Sequence, residues 1–295
     1  MDDLRVAKYH GTGNDFVLVE DLGDRLDLSP SLVAALCDRH RGVGADGVIR
    51  VAPARPEAAT AGATFFMDYR NADGSDAEMC GNGIRCLAKL VYERGHTDAT
   101  DLLVDTRGGV KRLRLTVEAG EVRSVTVDMG TPGFARRDVP MEPRDEDAFL
   151  GEPFEGAGLS VKASALSMGN PHLVLFVDQE PDQIDVHRIG PVLERDPRFP
   201  NRTNVEFVVP VEDGIRVRVW ERGVGETMAC GTGACASFVA ANLAGLVPRR
   251  GAVHFPGGTI DVDWTDGGAV LMTGPAERVM EGVIDRGWLR ARGIG

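Results

Sequence analysis

The feature that most constrains this chain is a short motif that occurs twice. Met79-Cys80-Gly81-Asn82-Gly83 and Ala229-Cys230-Gly231-Thr232-Gly233 set their cysteines 150 residues apart in a chain of 295. In both places a polar loop, Tyr69 to Ser75 or Glu221 to Glu226, precedes the cysteine and a helix-like pattern follows it. A second echo runs alongside the first. The polar turn His10-Gly11-Thr12-Gly13-Asn14-Asp15 leads into the apolar run Phe16 to Glu20, and Met168-Gly169-Asn170-Pro171-His172 leads into Leu173 to Asp178. In a chain with 37 glycines, chance would supply a stray Cys-Gly-x-Gly, but not the matched strand, loop and helix around it. The chain reads as two α/β domains of like topology.

Local patterns fill in that outline. Strands are predicted at Phe16 to Glu20, Val48 to Val51, Thr64 to Tyr69 and Leu102 to Thr106, from runs of Val, Ile, Leu and Phe. A helix is predicted from Ser29-Pro30 to about His40, with Ser as cap and Pro in the first turn, and another from about Asn82 to Arg94, stopped by Gly95. Lys111 to Glu118 and Glu121 to Met129, joined at Ala119-Gly120, read as a hairpin. The expected division is 1–135 for the domain carrying Cys80, 136–158 as a charged, Pro- and Gly-rich loop and boundary, and 159–295 for the domain carrying Cys230.

Several function classes lose support. The 33 basic residues against 45 acidic ones leave a net charge of −12, a field that repels a phosphate backbone and argues against nucleic acid as a partner. The amino-terminal residues lack the basic and apolar regions of an export signal, and Ala234 to Val247 is too short and too interrupted to span a bilayer, so a cytoplasmic protein with no membrane partner is expected. Five cysteines without a C-x-x-C pair, and six scattered histidines, argue for thiols rather than disulfides and against a metal centre. Gly42-Val43-Gly44-Ala45-Asp46-Gly47 matches the dinucleotide fingerprint in letters only, since a helix precedes it and a strand follows.

The paired cysteines suggest a chemistry of their own. A cysteine at a Gly-rich helix start sits beside backbone N–H groups and the positive end of the helix dipole, which favours the thiolate and is expected to lower the thiol pKa. Cys80 and Cys230 share that setting, whereas Cys37, Cys86 and Cys235 read as buried inert thiols. If the halves face a common cleft, two helix ends converging on one carboxylate stabilise the charge that develops when the neighbouring carbon loses its proton. A base on one face and an acid on the other then invert that carbon. This is a racemase or epimerase of a small-molecule substrate that needs no cofactor. Asn14, Asn71, Asn82, Asn170 and Asn204 stand at turns or strand ends, where carboxamides read ammonium and carboxylate groups, and Glu221-Arg222 sets opposite charges beside one cysteine loop.

At these residues the chain resembles the diaminopimelate epimerase family. The resemblance rests on Tyr9 to Phe16, Asn71 to Ser75, Met79 to Cys86, Met168 to His172, and Glu221 to Thr227 through Cys230 to Cys235. It implies two pseudo-symmetric α/β (α+β) domains, each a curved, mostly antiparallel sheet around a central helix, with the active site in the cleft between them and an amino-terminal strand able to exchange between domains. It also implies conversion of LL- to meso-diaminopimelate, in lysine and peptidoglycan-precursor biosynthesis, by an isomerase that uses neither pyridoxal phosphate nor metal. Carried over, Cys80 and Cys230 are base and acid. Gly81, Asn82, Gly231 and Thr232 hold the reacting carboxylate, while Asn14 and Glu221 serve the reacting ammonium. Asn71, Asn170, Asn204 and Arg222 read the distal end, and His172 is a helper beside a thiol. Gly47 stands where some members carry Gln, and 136–158 matches no motif of the family.

The nearest rival is a two-cysteine proline or hydroxyproline racemase or epimerase, whose substrate has no distal charged end; Arg222 and the asparagines favour a longer dipolar substrate. A non-catalytic amino-acid-binding or thiol-redox protein would need no matched pair of cysteines at helix starts. A homodimer is compatible with the main reading.

Overall fold

The computed structural model describes residues 4–293, and its chain divides into two compact units. One runs up to Val127 and takes in the segment from Gly274 onward; the other is Asp128–Thr273.

The first unit is built on eight strands. Glu277–Ile284 pairs antiparallel with Leu4–Gly11, which pairs antiparallel with Asn14–Glu20. Gly47–Pro53 lies parallel to Asn14–Glu20 and antiparallel to Phe65–Asn71, and Asp101–Asp105 lies parallel to Phe65–Asn71. The antiparallel strands Lys111–Glu118 and Glu121–Asp128 complete the series. Helices Pro30–Cys37 and Gly81–Glu93 fall in the two parallel crossovers, as a right-twisted sheet requires of parallel neighbours.

The second unit repeats that order strand for strand. Phe149–Gly156, Leu159–Ser167 and Pro171–Phe176 are successive antiparallel neighbours. Asn204–Val211 follows parallel, Gly214–Glu221 antiparallel and Arg250–Phe255 parallel. Gly258–Trp264 and Val270–Gly274 end it antiparallel. Helices Val186–Glu194 and Gly231–Leu243 occupy the two crossovers.

Each unit wraps its sheet around one central helix. Gly81–Glu93 packs on four strands of its unit and Gly231–Leu243 on six of its own, including Asn204–Val211 and Gly214–Glu221. Both helices are buried along most of their length, and Gly231–Leu243 accordingly carries Gly, Ala and Cys and no charged residue. The glycines permit close approach: a Cβ on Gly83 would stand 2.7 Å from Ile49 Cδ1.

The division differs from the sequence expectation in two ways. The strand Phe149–Gly156 lies inside the stretch read as a loop; only Phe149 and Phe154 of its eight residues are buried, so an edge strand with Gly and Pro gave no alternating signal. The carboxy-terminal segment belongs to the first unit, where Leu289 joins the core formed by Leu4, Val17, Leu32 and Leu36, and Trp288 Nε1 donates to Arg41 O at 3.0 Å. Glu277–Ile284 thus fills in the first unit the place that Phe149–Gly156 fills in the second. Among the described residues no helix is long and apolar enough to cross a membrane.

Candidate active site

Both motif cysteines sit at the N-cap of a central helix, with extended backbone (φ −133° at Cys80, −125° at Cys230). The sulfur takes the place of a capping oxygen. Cys80 Sγ accepts from Gly83 N at 3.5 Å, and Cys230 Sγ from Gly233 N at 3.3 Å. The N–H groups of the first turn, at Gly81 and Asn82 or Gly231 and Thr232, point out of the helix rather than into its ladder, beside the sulfur.

Around Cys80 the first unit gathers Asn14, Asn82, Asp46 and Arg85. Asn14 Oδ1 lies 3.6 Å from Cys80 Sγ and accepts from Asn82 Nδ2 at 3.2 Å, while Asn14 Nδ2 donates to Asp46 Oδ2 at 2.7 Å. Arg39 bridges Asp46 and Asp15, so the loop that carries Asp46 is tied to the strand that starts at Asn14. Arg85, fully buried, donates to Gly81 O, to Pro275 O and to Thr12 Oγ1. It staples the start of the Cys80 helix to the carboxy-terminal segment. Asn71 spends its amide within its own turn, on Ser75 Oγ at 3.0 Å. Opposite Asn71, Gly47 has no room for a side chain: a Cβ there would stand 2.5 Å from Arg70 O, so a longer residue would have to displace the neighbouring strand.

Around Cys230 the second unit gathers Glu221, Thr227, Thr232, Asn170, His172 and Glu206. Glu221 is the charged neighbour that acts most strongly on Cys230, and it accepts from Thr227 Oγ1 at 2.5 Å. Thr232 Oγ1 lies 3.4 Å from Cys230 Sγ and accepts from Asn170 Nδ2 at 3.3 Å. His172 has no exposed side-chain surface; its Nε2 lies 2.9 Å from Asn170 Oδ1 and its Nδ1 2.6 Å from Glu206 Oε1. Asn204 clamps backbone, donating to Pro171 O at 2.8 Å and accepting from Arg222 N at 2.9 Å. The Arg222 guanidinium makes one long bond, 3.5 Å to Asn201 O.

The electrostatics of Cys230 reverse the expectation from its helix position. Burial, followed by the Glu221 and Glu206 carboxylates, pushes its thiol well above 9.0, because removing water and adding negative neighbours outweighs the helix end. Burial also pushes the Glu221 and Glu206 carboxyls up.

The sequence reading overlooked Asp46, Arg85, Thr227 and Glu206. Arg85 and Glu206 carried a signal, since each is a lone charge in an otherwise apolar run and is now among the fully buried residues. Among the described residues no cluster of three or more His, Cys, Asp or Glu has the arrangement of a metal site.

The sequence profile of the family described as Diaminopimelate epimerase matches residues 6–135 and 164–279. Diaminopimelate epimerases from Pelotomaculum thermopropionicum and Moorella thermoacetica are 48% and 45% identical to the chain, each over 95% of it and 98% of the relative. Among solved structures, a hydroxyproline epimerase from Agrobacterium vitis superposes with TM-score 0.68 at 15% identity, covering 96% of this chain and 92% of that one. A Bacillus anthracis phenazine biosynthesis protein of the PhzF family does so with TM-score 0.68 at 17% identity, covering 97% and 100%. At such identities these two speak for the fold alone.

Proposed function

The chain belongs to the diaminopimelate epimerase family, and on that premise we propose that it interconverts LL- and meso-diaminopimelate, in lysine and peptidoglycan-precursor biosynthesis, by a two-thiol mechanism in the cytoplasm. The observation that carries this reading is the pair of cysteines, each capping a central helix whose first-turn N–H groups face outward.

One sulfur, as thiolate, removes the α-proton; the electron pair passes into the α-carboxylate, whose charge the helix-start N–H groups at Gly81, Asn82, Gly231 and Thr232 stabilise. The other sulfur, as thiol, returns a proton to the opposite face, so the carbon inverts and the two sulfurs exchange protonation states. Neither pyridoxal phosphate nor a metal has a part in this scheme. Cys230 is the acid in the resting form, because its buried thiol is held protonated. For the reverse direction it must lose that proton, and the neighbouring Glu221 carboxylate supplies an acceptor. Asn14 and Glu221 serve the reacting ammonium, Asn71, Asn170, Asn204 and Arg222 the distal amino-acid group, and His172 supports the Cys230 side. The Asn204 clamp on Arg222 N suits a role in aiming Arg222 rather than touching substrate itself.

A proton NMR screen in D₂O tests this. The chain should exchange and invert the α-carbon of LL-diaminopimelate and leave proline and hydroxyproline untouched. Activity on the cyclic imino acids instead would favour the family of the structural neighbour.

A further inference from the structure

The two units carry equivalent sheet positions, yet one pair of them is filled differently. Phe16 stands opposite Gly47 across parallel strands as His172 stands opposite Asn204, and two residues further along lie Ile49 in the first unit and Glu206 in the second. Phe16 and Ile49 are fully buried and apolar; His172 and Glu206 are fully buried and polar. The fold is therefore served by an apolar pair at these positions. A buried carboxylate is unfavourable unless it is compensated, so its presence on one side only calls for a use.

The hydrogen-bond directions supply one. Asn170 Nδ2 donates to Thr232 Oγ1, so Asn170 Oδ1 faces His172 and Nε2 must carry hydrogen. The remaining proton then lies on the 2.6 Å line between His172 Nδ1 and Glu206 Oε1, and the pair is net neutral whichever atom holds it. Thr232 Oγ1, accepting from Asn170, is left to turn its own hydrogen toward Cys230 Sγ at 3.4 Å. Glu206 Oε2 is buried with no hydrogen-bond partner, so the shared proton at Oε1 is what compensates this carboxyl. Gly233 makes the approach possible, since a Cβ there would stand 2.9 Å from Glu206 Oε1.

We propose that Glu206 is a positioning residue: by keeping a proton at the Nδ1 side of His172 it locks Nε2 as the donor, and so aligns Asn170 and Thr232 as a one-way relay that delivers a hydrogen bond to the Cys230 sulfur. The relay deepens the two-thiol reading, on which its catalytic consequence rests, and it makes the halves chemically unequal despite their common topology. Which ring nitrogen of a histidine carries hydrogen is set by the bond the other nitrogen makes.

The test compares Glu206→Gln with Glu206→Leu in the full chain, reading the ¹⁵N shifts of the His172 ring and kcat/KM on diaminopimelate. A glutamine amide can still donate to Nδ1, so Glu206→Gln should keep the Nε2–H tautomer and stay within a few-fold of wild type. Leucine cannot, so Glu206→Leu should lose that tautomer and fall by roughly ten- to a hundredfold. Equal damage in both variants with the tautomer intact, or no change in Glu206→Leu, would overturn the proposal. If Glu206→Leu does not fold, the wild-type spectrum decides, because hydrogen on Nδ1 with a bare Nε2 contradicts the relay outright. The NMR result is independent of substrate, so its failure is distinct from failure of the epimerase reading, which is a wild type inert on diaminopimelate.

Discussion

Glu221 is the charged neighbour that acts most strongly on Cys230, and burial pushes both groups toward their neutral forms. A thiol so placed gives up its proton only if the neighbour takes it. On the proposed mechanism, Glu221 is the group that would take it when Cys230 acts as base.

Glu221→Gln removes the proton acceptor while keeping the shape. Loss of a positioned acid or base costs about 10²- to 10⁴-fold in rate. Because a catalyst cannot move the equilibrium between LL and meso forms, kcat/KM should fall by the same factor in both directions. Steady-state kinetics from each isomer check this, and an unchanged rate would remove Glu221 from the proton path.

Cys80 and Cys230 should separate cleanly from Cys86 and Cys235. Cys80→Ser and Cys230→Ser put a far weaker acid in the relay and should each nearly abolish epimerisation. Cys86→Ala and Cys235→Ala empty small spaces in the buried helices, at a cost of about 1 kcal/mol in stability, with kcat retained. Comparable loss of kcat in all four variants would make the motif thiols structural.

Stability should decline in alkali. Burial, with the Asp15 and Asp46 carboxylates adding to it, pushes the Cys37 thiol up to about 12, and burial pushes Cys86 up to about 12 as well. In the unfolded chain these thiols ionise near 9.0. Below that pH their contribution is fully present. Above it the unfolded state releases protons that the folded state retains, so stability falls as pH rises toward 12, approaching about 1.4 kcal/mol per pH unit for each thiol. Urea midpoints at pH 8 and 10 measure the slope, which Cys86→Ala should reduce; a midpoint that does not move with pH would contradict it.

Much of this architecture was legible in the chain, because the repeated Cys-Gly-x-Gly and the asparagine turns mark equivalent points of two like units. The helix predicted from Asn82 to Arg94 is Gly81–Glu93, and the hairpin at Ala119-Gly120 falls where the turn residues put it. The helix from Pro30 ends at Cys37 rather than near His40, because Asp38 leaves the helix and the chain folds back so closely that a Cβ on Gly42 would lie 2.1 Å from Ala35 O. Nothing local in Glu277–Ile284 says that it belongs with strands more than 250 residues earlier, since partner choice is a tertiary matter. Helix position alone also misjudged Cys230: the dipole was visible in the sequence, whereas the desolvation that outweighs it was not.

Recognition of the distal group should depend on Arg222 and Asn71. A guanidinium fork binds a carboxylate bidentately, and lysine cannot reproduce that geometry. Arg222→Lys and Asn71→Ala should each lower kcat/KM by roughly ten- to a hundredfold, with kcat falling as well as KM rising because a loosened substrate drifts from the sulfurs. Wild type should also discriminate against lysine, which lacks the distal carboxylate. Full activity of both variants, or lysine turned over as fast as diaminopimelate, would refute this assignment.

Inversion is expected to pass through removal of the α-proton by one sulfur and delivery of a solvent-exchangeable hydrogen by the other. Incubating LL-diaminopimelate with the wild-type chain in D₂O and following the α-proton by NMR tests it directly. Every meso molecule formed early in the reaction should carry deuterium at the inverted carbon, and Cys80→Ser and Cys230→Ser should stop its formation. Meso product that retains the original hydrogen, or deuterated meso product formed at the wild-type rate by either serine variant, would contradict it.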